Sequence, residues 1–244
     1  MRIQVYSDRE EMSRAAADFF VQTAKEAVEA HGRFIVALSG GSTPKETYRI
    51  LAQAPFKQQV PWEKTYIFWG DERCVPWDDP RSNAHMTYDT LLKYVTVPSK
   101  HIFRMQCALS PKEAASQYEA VLHQLFDGDQ PRFDLIFLGL GENGHTASLF
   151  PNSEVLTEKS RLVSEVYLPE LEMYRITFTA YLINQAANVA FLVSGKKKSE
   201  ILPKVIEGPR KPEELPAQLI EPLEGEIYWF IDQAAASGLK EVEK

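Results

Sequence analysis

Phe34-Ile35-Val36-Ala37-Leu38 is an uninterrupted apolar run of strand length. A strand with one wet face alternates polar and apolar residues, whereas a run with no polar member belongs in a sheet covered on both faces. Thr65–Trp69 reads the same way, and residues 134–138 make a third central strand. Helical patterns stand between the runs. Residues 7–30 carry an apolar face of Ala16, Phe19, Phe20, Thr23, Ala24 and Ala27, with Ser7 or Asp8 as cap and His31-Gly32 as stop. Residues 44–52, 82–92 and 110–126 are further helices. Later come strands at 175–179, 189–193 and 226–231, and helices at 180–187, 198–206 and from 232. Strand–helix alternation predicts an α/β fold, a doubly wound, mostly parallel sheet of Rossmann-like type. Residues 76–82 and 208–216 read as surface loops rather than linkers, so residues 1–244 are expected to form a single domain.

Function classes narrow with charge. The chain has 27 basic and 34 acidic residues, a net charge of −7, which argues against a nucleic-acid or membrane-surface binder. A local cluster of basic groups and backbone N–H can still bind an anionic small molecule. Cys74 and Cys107 have neither metal nor redox spacing and read as free thiols. Residues 1–8 lack a signal-peptide stretch and no run approaches membrane-spanning length, so a cytoplasmic location is expected. His31, His85, His101 and His123 have no ligand spacing, and no metal is expected.

In an open α/β sheet, ligands bind beyond the carboxyl ends of the strands. After the strand at 34–38 comes Ser39-Gly40-Gly41-Ser42-Thr43-Pro44. The glycines allow close backbone approach, the hydroxyls can donate, and Pro44 suits a helix start whose N–H groups favour an anion. No Gly-Lys-Ser/Thr follows, so it is not a Walker loop, and proline closes the string where a hydrolase elbow needs glycine. Ser42 reads as an anion ligand, not a nucleophile. After the strand at 65–69, Gly70-Asp71-Glu72-Arg73 would place three charges on the same crevice, and Ser82-Asn83 begins a helix nearby. After the strand at 134–138, Gly139-Leu140-Gly141-Glu142-Asn143-Gly144 matches a dinucleotide fingerprint, but mid-chain and with His145 next. That turn is expected to deliver His145 as a catalytic group, with a helix following. Arg175 enters an apolar strand, an expensive place for an unpaired charge. Gly195-Lys196-Lys197-Lys198 can send one of its three lysines to an anion.

Taken in order, Gly-Gly-Ser-Thr-Pro, Trp-Gly-Asp-Glu-Arg, Ser-Asn, Gly-x-Asn-Gly-His-Thr-Ala-Ser-Leu-Phe-Pro, Arg-Ile-Thr-Phe-Thr and Gly-x-x-Lys resemble the 6-phosphogluconolactonases, which share a superfamily with glucosamine-6-phosphate deaminases. The likeness spans about residues 34–236, and residues 144–151 are its most specific string. It implies hydrolysis of 6-phospho-D-glucono-1,5-lactone to 6-phosphogluconate in the oxidative pentose phosphate pathway, without a cofactor. By the same resemblance the phosphate would lie on Gly40, Gly41, Ser42 and Thr43, with Arg175 and Lys198. His145 would be the general base or acid, with Arg73 and Asp71 at the sugar end, and Asn83, Asn143 and Gly144 would line the substrate. The partner implied is a small sugar phosphate lactone, with the protein a monomer or small homo-oligomer.

Two positions test the resemblance. The superfamily usually has aspartate two residues before the histidine, and here stands Asn143, which can orient an imidazole but cannot neutralise it. Either that carboxylate is dispensable for an activated ester, the preferred reading, or Glu142 replaces it. The deaminases carry glutamate five positions after the histidine, and here stands Phe150. A deaminase is therefore the second reading. A non-catalytic sugar-phosphate sensor is the third, although no helix-turn-helix extension or basic arm is seen.

Overall fold

In the computed structural model, which describes residues 1–240, nine strands form two sheets. Six of them, β1 (Arg2–Tyr6), β2 (Phe34–Leu38), β3 (Thr65–Trp69), β5 (Leu135–Gly139), β8 (Asn188–Val193) and β9 (Glu226–Asp232), build a parallel sheet in the order β1-β9-β8-β5-β2-β3. The other three, β4 (Asp71–Arg73), β6 (Val163–Leu168) and β7 (Met173–Phe178), form a small antiparallel sheet in the order β4-β7-β6. The helices are α1 (Arg9–His31), α2 (Ser42–Leu51), α3 (Phe56–Gln59), α4 (Asn83–Thr90), α5 (Pro111–Leu125), α6 (Ala180–Ile183), α7 (Ile201–Ile206) and α8 (Gln233–Ala236).

The strand period of two sorts each buried run onto two cores. Ile35 and Ala37 of β2 join α5, α7 and the small sheet on one side. Phe34, Val36 and Leu38 join α1 and α2 on the other. All five residues of β2 are buried, as an apolar run with both faces covered requires. Asp8 caps α1 by accepting from the Glu11 N–H at 2.9 Å, and Gly32 ends it at φ +81°. Ser110 and Glu113 cap α5 reciprocally.

β2 continues to β3 on one side, whereas β5 continues to β8 on the other. The carboxyl ends of β2 and β5 therefore flank a topological switch point, where an open parallel sheet leaves a crevice.

Two sequence expectations are corrected, and one strand went unread. The strand bearing Arg175 is not in the main sheet. It is the centre of the antiparallel one, whose partners β4 and β6 are too short or too polar to announce themselves. β1 escaped notice because its residues alternate between exposed and half-buried at a sheet edge. No helix follows His145. Gly144, Ala147 and Asn152 all have positive φ, and Pro151 follows, so the chain turns repeatedly until the short 3₁₀ turn Glu154–Thr157.

Candidate active site

A cavity of about 940 Å³ opens at the switch point. The loops after β2, β5 and β8 line it, together with Asp71 and Arg73 of β4 and Arg175 of β7.

Gly40 and Gly41 shape the first loop. A Cβ on Gly40 would collide with the Asn83 side chain, and Gly41 has φ +106° at the N-cap of α2. No side chain caps this helix, so its first N–H groups remain open toward the cavity where Ser42 and Thr43 stand.

The His145 ring is tightly held. Its Nδ1 lies 2.5 Å from Asn143 Oδ1, and the His145 backbone N–H points to the same oxygen at 3.3 Å. Because a backbone N–H can only donate, the shared atom is an acceptor, and Nδ1 carries the ring proton. Nε2 is then the free lone pair. Phe150 stacks on the ring with centroids 4.2 Å apart, and a Cβ on Gly141 would strike its other side. Burial pushes the His145 pKa down to about 4, assisted by Arg175, Lys198 and Arg73 and opposed by Asp71. The imidazole is accordingly neutral at physiological pH. Glu142 does not replace the missing aspartate. It is exposed, with its carboxylate 3.9 Å from Lys197.

Asp71 is buried and held from three sides. Ser148 Oγ donates to Oδ2 at 2.7 Å, Asn83 Nδ2 donates to Oδ1 at 3.2 Å, and Arg175 lies 3.8 Å away. Arg73 and Arg175 face each other in the β4–β7 register. Like charges opposed in this way repel, and Asp71 offsets only one of them. Burial first, then Arg73, lowers the Arg175 pKa. Each guanidinium keeps an Nε–H buried without a partner among the described residues. Arg73 Nη1 also donates to the Arg81 carbonyl at 2.6 Å, which holds that guanidinium at the cavity wall.

Glu72 was expected in the same crevice, but it points the other way. Alternation along β4 sends it beneath α4, where it accepts from the Asn83 and Ala84 N–H groups at 2.7 and 2.8 Å. Gly144 is also displaced from its expected place. It is buried and does not line the cavity, and its carbonyl accepts from Ala217 N–H. Asn83 lines the cavity, but its amide is spent on Asp71. Among the three lysines, Lys196 donates to Ser237 and Lys197 lies near Glu142. All three border the cavity, and Lys198 alone is half-buried, with its pKa lowered by that burial. Sequence reasoning missed Arg9 and Ser194, both on the cavity wall, and Leu171 at the tip of the β6–β7 hairpin. Arg9 had one signal: it is a cation at the first position of a helix, against the dipole.

Among the described residues, no cluster of His, Cys, Asp and Glu fits a metal ion, and no helix is long and apolar enough to cross a membrane.

Comparison with known proteins converges. The family model for glucosamine-6-phosphate isomerases/6-phosphogluconolactonase matches residues 7–229. A 6-phosphogluconolactonase of Synechocystis sp. is 42% identical, covering 88% of each chain. Probable 6-phosphogluconolactonase 2 of Oryza sativa subsp. indica is 36% identical over 97% of this chain and 89% of its own. The solved structure of 6-phosphogluconolactonase from Trypanosoma cruzi superposes with a TM-score of 0.87 at 28% identity, covering 98% of this chain and 97% of that one. The chain belongs to the glucosamine-6-phosphate isomerase/6-phosphogluconolactonase family.

Proposed function

We propose that this protein hydrolyses 6-phospho-D-glucono-1,5-lactone to 6-phospho-D-gluconate, the lactonase step of the oxidative pentose phosphate pathway. The observation that carries this reading is the His145 environment: a neutral imidazole with its tautomer set by Asn143, in a cavity that also holds Arg73, Arg175 and Lys198. Relatives of 36–42% identity bearing the lactonase name support the same substrate.

The phosphate sits on the open N-terminus of α2, with Gly41, Ser42, Thr43 and Lys198, and Arg175 as a further cation. His145 Nε2 takes a proton from a water directed at C1. As the water oxygen bonds to C1, charge grows on the carbonyl oxygen, where Arg73 stabilises it. The C1–ring oxygen bond then breaks, and the imidazolium returns its proton to the ring oxygen. A histidine with pKa near 4 is a weak base but a strong conjugate acid, which suits the second transfer. The acid product ionises and releases one proton. The steps need only water and the chain's own groups.

Phe150 disfavours deamination. An apolar ring covers the histidine at the position where the deaminases keep a carboxylate for proton relay. We further propose that residues 1–244 act as one domain in the cytoplasm, as a monomer or small homo-oligomer, on a small sugar phosphate rather than on nucleic acid or membrane. The test is acid release from fresh phosphogluconolactone against the spontaneous rate, with glucosamine 6-phosphate assayed in parallel. Acceleration of the first alone is expected. Ammonia release from the second would overturn the assignment.

A further inference from the structure

We propose that Arg9, at the first turn of α1, is an additional ligand of the substrate phosphate and sets the preference of this site for a phosphorylated lactone. The inference rests on the phosphate subsite described above and extends it to an element outside the loops after β2, β5 and β8.

Three observations place Arg9 there. It lines the cavity together with Ser42, Thr43, Ser194 and Gly195. Its Nε donates to Ser194 Oγ at 2.9 Å, and Ser194 Oγ lies 2.9 Å from Thr43 Oγ1. Its Nη2 comes within 3.8 Å of the space a Cβ would fill on Gly195, whose φ of +93° itself favours glycine. The guanidinium is thus pinned by one edge across the end of β8, and its Nη groups make no hydrogen bond among the described residues.

Arg9 is an exposed cation at the start of α1, flanked by the carboxylates of Asp8, Glu10 and Glu11. Arg9 occupies the first position of a 23-residue helix, where the dipole opposes positive charge. A dianion held by the first N–H groups of α2 would attract the guanidinium directly. Arginine, with a planar fork of donors, suits phosphate oxygens better than a lysine point charge.

Arg9 also ends a chain of side-chain hydrogen bonds. Arginine can only donate, so Ser194 Oγ accepts at that contact and its own proton is free for Thr43 Oγ1. Either hydroxyl can donate in the Ser194–Thr43 contact, because a serine oxygen can also accept twice. Each bond in such a chain polarises the next. Arg9 thus presents its Nη groups beside the Ser194 and Thr43 hydroxyls on the same cavity wall.

The test compares Arg9→Ala, Arg9→Gln and Lys198→Ala on phosphogluconolactone and on unphosphorylated glucono-1,5-lactone, with inorganic phosphate as a competing probe. Melting temperatures establish that each variant folds. For both Arg9 variants KM for the phosphorylated lactone is expected to rise about 3–30-fold with kcat within about twofold, the pattern of lost uniform binding. The inhibition constant of phosphate should weaken in parallel, and kcat/KM on the unphosphorylated lactone should stay within about twofold. If Lys198→Ala shows this phosphate-selective loss and the Arg9 variants do not, Arg9 is a bystander and the proposal fails while the phosphate subsite stands. If the Arg9 variants lose activity equally on both lactones, Arg9 is structural and the proposal fails. If neither Lys198→Ala nor the Arg9 variants distinguishes the two lactones, the phosphate placement itself is wrong, and this inference falls with it.

Discussion

Asn143 Oδ1 approaches His145 Nδ1 to 2.5 Å, and no carboxylate shares that nitrogen. A neutral amide can fix the ring tautomer, but it adds no charge to hold a proton on the imidazole. With burial and three cations pressing the same way, the pKa settles near 4 despite Asp71 nearby.

Removing the imidazole should abolish the proton transfers and leave the phosphate grip intact. His145→Ala is expected to lower kcat by roughly 10²–10⁴-fold, the usual range for general acid–base catalysis. Binding of 6-phosphogluconate, measured by calorimetry, should change little. Near-native turnover would exclude His145 as the base.

The pH profile follows from the lowered pKa. The neutral base exists above the folded-state pKa and is lost as pH falls through it. The acidic limb of kcat/KM should therefore lie near pH 4, well below the ordinary histidine value of 6.5. Asn143→Asp places a carboxylate on Nδ1, favours imidazolium and should move that limb upward while leaving turnover at neutral pH within a few-fold. An unmoved limb would mean that residue 143 does not govern the ring.

Phe150 controls the same pKa by a different physical route. The stacked ring keeps water off the imidazole. Phe150→Ala should rehydrate it and raise the pKa toward 6.5 by roughly one unit or more. NMR titration of the His145 ring protons reads the shift directly, apart from any effect on rate.

Arg175→Ala should weaken binding of the phosphorylated lactone by about 1.5–3 kcal/mol, the range for a charge-assisted hydrogen bond. Activity on unphosphorylated gluconolactone should be nearly unchanged. Equal losses on both substrates would assign Arg175 to Asp71 and the oxyanion end, 3.8 Å from that carboxylate, instead of to phosphate.

Glu72 makes a stability prediction. Its carboxylate accepts from the first N–H groups of α4 in a buried setting. Glu72→Ala strands those donors and should cost about 1–3 kcal/mol for each one left unsatisfied. Urea unfolding monitored by tryptophan fluorescence measures it, and an unchanged midpoint would show that water replaces the carboxylate.

Much of this protein is written locally. The run Phe34–Leu38 could only be a doubly covered strand, because five consecutive apolar side chains must alternate onto two faces. The same logic placed β3, β5, β8 and β9 and, through the strand–helix alternation, the parallel sheet. Gly40-Gly41-Ser42-Thr43 and His145 were legible as residues of the cavity wall because they follow buried strands, and the ends of such strands meet at one edge. What the sequence could not supply depends on contacts between distant segments. The small antiparallel sheet brings Arg175 opposite Arg73, a pairing of residues about a hundred positions apart that no periodicity encodes. Glu72 and Asp71 are adjacent in sequence, yet the pleat sends one beneath a helix and the other to the cavity. Lys198 differs from Lys196 and Lys197 only in what surrounds it. Arg9 lies far from every motif and reaches the cavity because β1 pairs with β9, beside β8, whose end carries Ser194. Local sequence determines which residues can form strands, turns and caps. Burial, charge and proton affinity depend on everything packed around a group, so they were decided only by the tertiary fold.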